Sequence, residues 1–216
     1  MNRLDLLARA SRLPGWAALQ HVVQNRRYQR WLRNGMPLPP PSRVKQQILR
    51  QLAAEHELSI LVETGTFLGD MLHALRDDFS RLYSIELSPS LYVHAQRRFR
   101  RVPHIKLVLG DSGDQLGKLL PEINAPTLFW LDGHYSGTGT AHGVEATPIM
   151  LEIQALAGIR ERAVVAIDDA RCFGSDAAYP TRQGLCDYLQ HLFPCAKIEE
   201  QYDILILTGL QPTTQP

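Results

Sequence analysis

The chain has 216 residues and a mass of 24.4 kDa, with 44% hydrophobic and 21% charged residues, which suits one ordinary globular domain with an attachment. Its apolar runs are broken by Asp, Glu or Gly well short of the roughly 18 residues that cross a bilayer, so a transmembrane chain is excluded. The net charge of +1 hides an asymmetry: residues 1–50 hold ten Lys and Arg against one acid, Asp5, so a basic N-terminal stretch of about +9 precedes a remainder of about −8.

The arm, residues 1–42, shows helical spacing in Leu4, Leu7 and Ala10 and again in Leu19, Val22 and Val23, with a break expected at Pro14-Gly15. A second helical stretch carries Arg26, Arg27, Tyr28, Arg30, Trp31 and Arg33 and ends at Asn34-Gly35, before a stiff Pro-rich linker of Pro37, Pro39, Pro40 and Pro41. Such an arm packs on the body, covers a site or makes a homodimer contact. Its charge also suits a transit peptide, an anionic membrane or nucleic acid.

From residue 43 to 210 helix-period and strand-like segments alternate. Helices are predicted at Val44–His56, Met71–Asp78, Ser90–Arg100, Gln115–Leu120, Pro148–Ala157 and Gly184–Leu192. Between them lie strands at Ser59–Glu63, Leu82–Glu86, Ile105–Leu109, Thr127–Leu131, Ala163–Ile167, Lys197–Glu200 and Asp203–Leu207. The pattern implies an α/β fold: a doubly wound, seven-stranded, mostly parallel sheet closed by an antiparallel hairpin, with the helical arm in front and a polar tail, 211–216, behind. Cys172, Cys186 and Cys195 form an odd set without C-x-x-C spacing, so neither a disulfide framework nor a cysteine zinc site is expected, and a reducing, cytoplasmic compartment fits.

In open α/β sheets ligands bind at the carboxyl ends of the strands. The first predicted strand ends in Glu63-Thr64-Gly65-Thr66-Phe67-Leu68-Gly69, a glycine turn that leads a helix N-terminus to a ligand. The second ends at Glu86, 21 residues after Gly65, where a carboxylate accepts both hydroxyls of a ribose. The third ends in Gly110-Asp111-Ser112, a carboxylate and a hydroxyl suited to a purine amino group. Three consecutive strand ends thus outline a nucleoside pocket.

Glu63-x-Gly65-x-x-x-Gly69 followed by Glu86 and Asp111 resembles the class I S-adenosylmethionine-dependent methyltransferases over roughly residues 55–210. The G-x-G-x-x-G of nicotinamide-binding Rossmann domains is missing, which makes a dehydrogenase the weaker reading. The resemblance implies a Rossmann-like fold and S-adenosyl-L-methionine as cofactor. Glu63, Gly65, Thr66 and Gly69 would face its methionine part, Glu86 its ribose, and Asp111 and Ser112 its adenine, with Asp132 also at the cofactor.

The fourth and fifth strands end in Asp132-Gly133-His134-Tyr135 and Asp168-Asp169-Ala170-Arg171. Three carboxylates converging on one rim repel unless a cation or a proton intervenes, and magnesium is a suitable hard ion. This arrangement resembles metal-dependent O-methyltransferases of the catechol and macrolide-sugar type, which makes Asp132, Asp168 and Asp169 the expected magnesium ligands and Asp132 a catalytic residue. A rival reading has these acids cap loops or hydrogen-bond the bound molecules. Relatives of that type often keep Lys or His three positions after the first acid, where this chain has Tyr135. His134, with an ordinary pKa near 6.5, is the expected general base.

Tyr135–Ala146, with Gly137, Gly139, Gly143, His142 and Glu145, reads as a substrate loop or lid, and Arg171–Pro180, with Phe173, Asp176 and Tyr179, as the other wall of an acceptor pocket. Cys172, beside Arg171, is a candidate for a lowered thiol pKa. The expected activity is O-methylation of a small-molecule or sugar hydroxyl. Two alternatives stand: a catalytically inactive nucleoside-binding module, and a nucleic-acid methyltransferase docking through the arm. The latter is disfavoured because Leu131-Asp132-Gly133-His134 departs from the Asn/Asp-Pro-Pro-aromatic motif of base-methylating relatives.

Overall fold

The computed structural model describes residues 16–133, 147–159, 161–176 and 178–210. Seven strands form one sheet: β1 (Ile60–Thr64), β2 (Arg81–Glu86), β3 (Ile105–Leu109), β4 (Thr127–Leu131), β5 (Ala163–Ile167), β6 (Lys197–Gln201) and β7 (Ile204–Leu210), in the order β3-β2-β1-β4-β5-β7-β6. Only β7 runs against the others, and it pairs antiparallel with both β5 and β6. β1, β4 and β5 are buried along their whole length, as central strands covered on both faces must be. The edge strands β3 and β6 are partly exposed and carry Lys106, Lys197, Glu199 and Glu200, charges that blunt an open edge.

Parallel register sorts the side chains onto two faces. Leu61, Leu82, Leu128, Trp130 and Ala166 meet α1 (Trp16–Arg33), α2 (Ser42–Glu55), α3 (Asp70–Leu75) and α4 (Pro89–Phe99) through Trp31, Leu49, Leu75 and Ala95. Val62, Ile85, Phe129, Leu131 and Ile167 meet α5 (Ser112–Leu119), α6 (Ile149–Leu156) and α7 (Arg182–Leu192) through Leu116, Ile153 and Leu189. Among the described residues no helix is long and apolar enough to cross a membrane.

Local chemistry explains where the elements differ from expectation. α5 starts at Ser112 because Asp111 caps it, accepting from the Gly113 N–H at 2.9 Å. α3 ends at Leu75 rather than Asp78, and Arg76 turns back to donate to the His73 carbonyl. β6 and β7 are joined through Tyr202 and Asp203 alone, both with positive φ, the two-residue hairpin geometry that matches strand twist. α1 ends as expected: Gly35 is left-handed, and Met36 donates its N–H to the Trp31 carbonyl.

The arm is anchored through Trp31, which is buried, stands edge-on to Tyr202 at 5.5 Å and donates from Nε1 to the Pro37 carbonyl at 2.7 Å. Tyr28 stacks on Trp31, and the Arg43 guanidinium lies over the Tyr28 ring. Arg26, Arg27, Arg30 and Arg33 are exposed.

Candidate functional site

The strand order reverses between β1 and β4, and the loops that leave these two strands touch there. Gly65 has φ +81, and a Cβ on it would lie 2.5 Å from the Asp132 carbonyl oxygen. The expected close approach at Gly65 is therefore to the β4 loop. Gly69 has φ +76, and its absent side chain leaves room for the Phe99 ring. Thr64 Oγ1 accepts from the Asp132 N–H at 3.1 Å and ties the same two loops together.

Glu63 is buried on the same face as Ser84 and Trp130. Its carboxyl accepts from Ser84 Oγ at 2.7 Å, and Ser84 in turn meets the buried Thr66 Oγ1 at 2.6 Å. Burial pushes the Glu63 carboxyl up to about 8, with Glu86 and Asp70 adding repulsion against the Ser84 hydrogen bond. Glu63 is thus neutral at pH 7.

Glu86 closes β2, and its two oxygens hold two loops: Oε2 accepts from the Phe67 N–H and Oε1 from the Ser88 N–H, both at 2.8 Å. Burial raises its pKa, against these hydrogen bonds. The Leu87 backbone also bonds to it, and a carboxylate has about four lone-pair sites, so acceptor capacity remains for a hydroxyl. Gly110 donates its N–H to the Glu86 carbonyl and joins the β3 end to the same lip. There Asp111 caps α5, and Ser112 is buried beside Gly133, whose missing Cβ would meet Ser112 Oγ and Thr64 Oγ1 at 3.1 Å and Glu152 Oε1 at 2.9 Å.

The acidic rim departs most from expectation. Lys45, on α2, ion-pairs with Asp168 Oδ2 and lies 3.7 Å from Asp169 Oδ1. Asp168 Oδ1 accepts from the Asp169 N–H at 2.8 Å, so both its oxygens are engaged. Burial alone would lower the Lys45 pKa, but Asp168, Asp132 and Asp169 more than offset it and hold the ammonium above the usual lysine value. Burial lifts the Asp168 carboxyl, and Lys45 limits the rise. Asp169, left-handed at φ +53, accepts from Arg171 Nη1 at 2.7 Å, and Arg171 also ion-pairs with the fully buried Asp203.

The rim carboxylates therefore gather around a lysine of the protein itself. This donor set does not fit the expected magnesium ion. With Lys45 in place, Asp168 is engaged at both oxygens and Asp169 is held by Arg171, and among the described residues as they stand no three His, Cys, Asp or Glu side chains are open to a metal. Neither Lys45 nor Asp203 was expected from sequence. The available signal for Lys45 was its position on the apolar stripe of α2, with Ile48, Leu49 and Leu52 at helical spacing, where a cation needs a buried partner.

His134, the expected base, lies outside the described residues, as do Tyr135, His142, Glu145 and the whole expected lid. Phe173 belongs to the core, edge-on to Tyr179 at 5.3 Å, and the two line a small cleft with Gly133, Glu152 and Asp168. The thiol of Cys172 shifts opposite to expectation: burial and the nearby Asp169 push it up and outweigh the lowering influence of Arg171.

No family model and no curated protein matches the chain. Solved structures do. An O-methyltransferase from Bacillus cereus in complex with SAH matches at TM-score 0.53 and 16% identity, covering 85% of this chain and 88% of its own. The O-methyltransferase TomG from Streptomyces achromogenes, involved in tomaymycin synthesis and in complex with SAM, matches at 0.52 and 19%, covering 86% and 89%. The N-methyltransferase NodS from Bradyrhizobium japonicum matches at 0.52 and 16%, covering 77% and 93%. The chain thus has the fold of class I S-adenosylmethionine-dependent methyltransferases. That fold is shared by enzymes acting on oxygen and on nitrogen, and it does not decide the acceptor.

Proposed function

We propose that this protein is an S-adenosylmethionine-dependent methyltransferase that methylates a hydroxyl oxygen of a small molecule. The observation that carries the reading is Glu86: a buried carboxylate at the end of β2, held in place by backbone N–H groups of Phe67, Leu87 and Ser88, one strand from the glycine turn at the switch point, where a ribose hydroxyl would meet it. Bound there, S-adenosylmethionine would supply an electrophilic sulfonium methyl for an acceptor oxygen. Glu63, neutral at pH 7, offers a hydroxyl proton to the methionine end without adding charge. The rim of Asp132, Asp168 and Asp169 leaves a negative balance after Lys45 is counted, which favours a cationic donor over its neutral product. His134, next in the chain after Gly133, is the proposed acceptor of the hydroxyl proton on the strength of its chemistry. The neighbours named as O-methyltransferases support oxygen as the acceptor atom.

Calorimetric titration with S-adenosylmethionine and its demethylated product tests the reading. Micromolar binding that weakens at least tenfold in Glu86→Ala is expected. No binding by the folded wild type would overturn it in favour of a structural module.

A further inference from the structure

The N-terminal helix α2 sends one charged side chain into the rim, and that side chain is a cation. Lys45 and Asp168 are 123 residues apart in sequence, and both side chains are largely withdrawn from water, at 14% and 2% exposure. The ammonium lies against Asp168 Oδ2 with Asp169 Oδ1 at 3.7 Å, between the two carboxylates of the rim. It is also under the field of Asp132, so one lysine faces all three acids. Arg171 completes the compensation from the other side, bonded to Asp169 and Asp203. Burying a carboxylate without a partner is costly, and a lysine in contact offsets part of that cost and fills the space a second cation would need.

We infer that Lys45 is the resident cation of this rim and stands in place of a divalent metal, so that the site works with a protein-borne positive charge. Lys45 is a positioning residue: it holds Asp168 and Asp169 in register at the end of β5. An ammonium has three N–H groups, and beyond the bond to Asp168 it retains donor capacity to orient an oxygen at the rim. The functional meaning of the inference rests on the proposed methyltransferase reading, whereas the ion-site claim stands on the geometry alone.

The test uses Mn2+ as the probe, with free Mn2+ read by electron paramagnetic resonance on full-length wild type, Lys45→Ala, Lys45→Arg and Lys45→Ala/Asp168→Asn. Circular dichroism confirms that each is folded. Wild type and Lys45→Arg are expected to leave Mn2+ free at millimolar concentration. Lys45→Ala is expected to bind one equivalent at least tenfold more tightly, and the double variant to lose that site. One Mn2+ bound by wild type at micromolar concentration and absent from the double variant would overturn the inference, as would a folded Lys45→Ala that gains no site. S-adenosylmethionine titrations of the same samples keep failure of the cofactor reading separate from failure of this one.

Discussion

A buried neutral carboxyl at Glu63 makes stability depend on pH with a sign that is unusual for an acidic residue. Its pKa is about 8 in the fold, against the ordinary value of 4.5. Between these two values the folded chain holds a proton that the unfolded chain has released, so this contribution to stability is lost as pH rises across the window. The slope approaches about 1.4 kcal/mol per pH unit, and linkage between the two pKa values gives a change of about 2.5 kcal/mol from pH 5 to pH 7. Glu63→Gln keeps the shape and an oxygen for Ser84 but cannot ionise. Urea unfolding of both proteins at half-unit steps from pH 5 to pH 8 isolates the effect, because the other titrating groups are common to both and largely cancel. The wild type is expected to lose stability relative to Glu63→Gln steadily as pH rises. A difference that stays flat within about 0.5 kcal/mol would mean that Glu63 is ionised in the fold, and would refute the reasoning.

Gly65→Ala places a methyl 2.5 Å from the Asp132 carbonyl on a left-handed residue. A loss of about 3 kcal/mol in urea unfolding is expected, because neither backbone can yield without opening the switch point; a loss below about 0.5 kcal/mol would contradict the packing described. Trp31→Ala removes the buried ring that α1 places on Tyr202, at an expected cost of about 3 kcal/mol. Limited trypsin digestion should then cut several-fold faster at Arg33 and Arg43, and an unchanged cleavage rate would show that the arm is held by other contacts.

Strands β3, β4 and β5 have the expected bounds, since short apolar runs between turn residues leave little choice. The strand-end acids were legible for a related reason: Glu63 and Glu86 interrupt or close runs that are otherwise apolar, and a carboxylate there needs a purpose. What these acids bind was less legible. Asp168 reads identically beside a metal or beside a lysine, and its partner comes from a helix before the first strand of the sheet. Nor does the chain announce that Gly65 makes room for the Asp132 carbonyl, because that contact exists only once β1 and β4 are paired.

The anchoring of the arm and the charge balance of the rim belong to one closed circuit. Trp31 packs on Tyr202, the residue beside Asp203 in the two-residue turn between β6 and β7. Asp203 accepts from the Arg171 backbone N–H at 2.8 Å and pairs with its guanidinium, which reaches Asp169; Asp169 and Asp168 flank Lys45. Lys45 stands in the first turn of α2, and the short passage from Gly35 to Pro41 returns the chain to α1 and Trp31. Each link alone is modest, since a partly exposed ion pair contributes little. Closed into a ring around buried carboxylates, the links support one another, because the chain that leaves Trp31 enters α2 just ahead of Lys45, the cation that compensates Asp168. The basic segment ahead of the sheet therefore does more than cover the fold: through Lys45 it supplies part of the site's own charge.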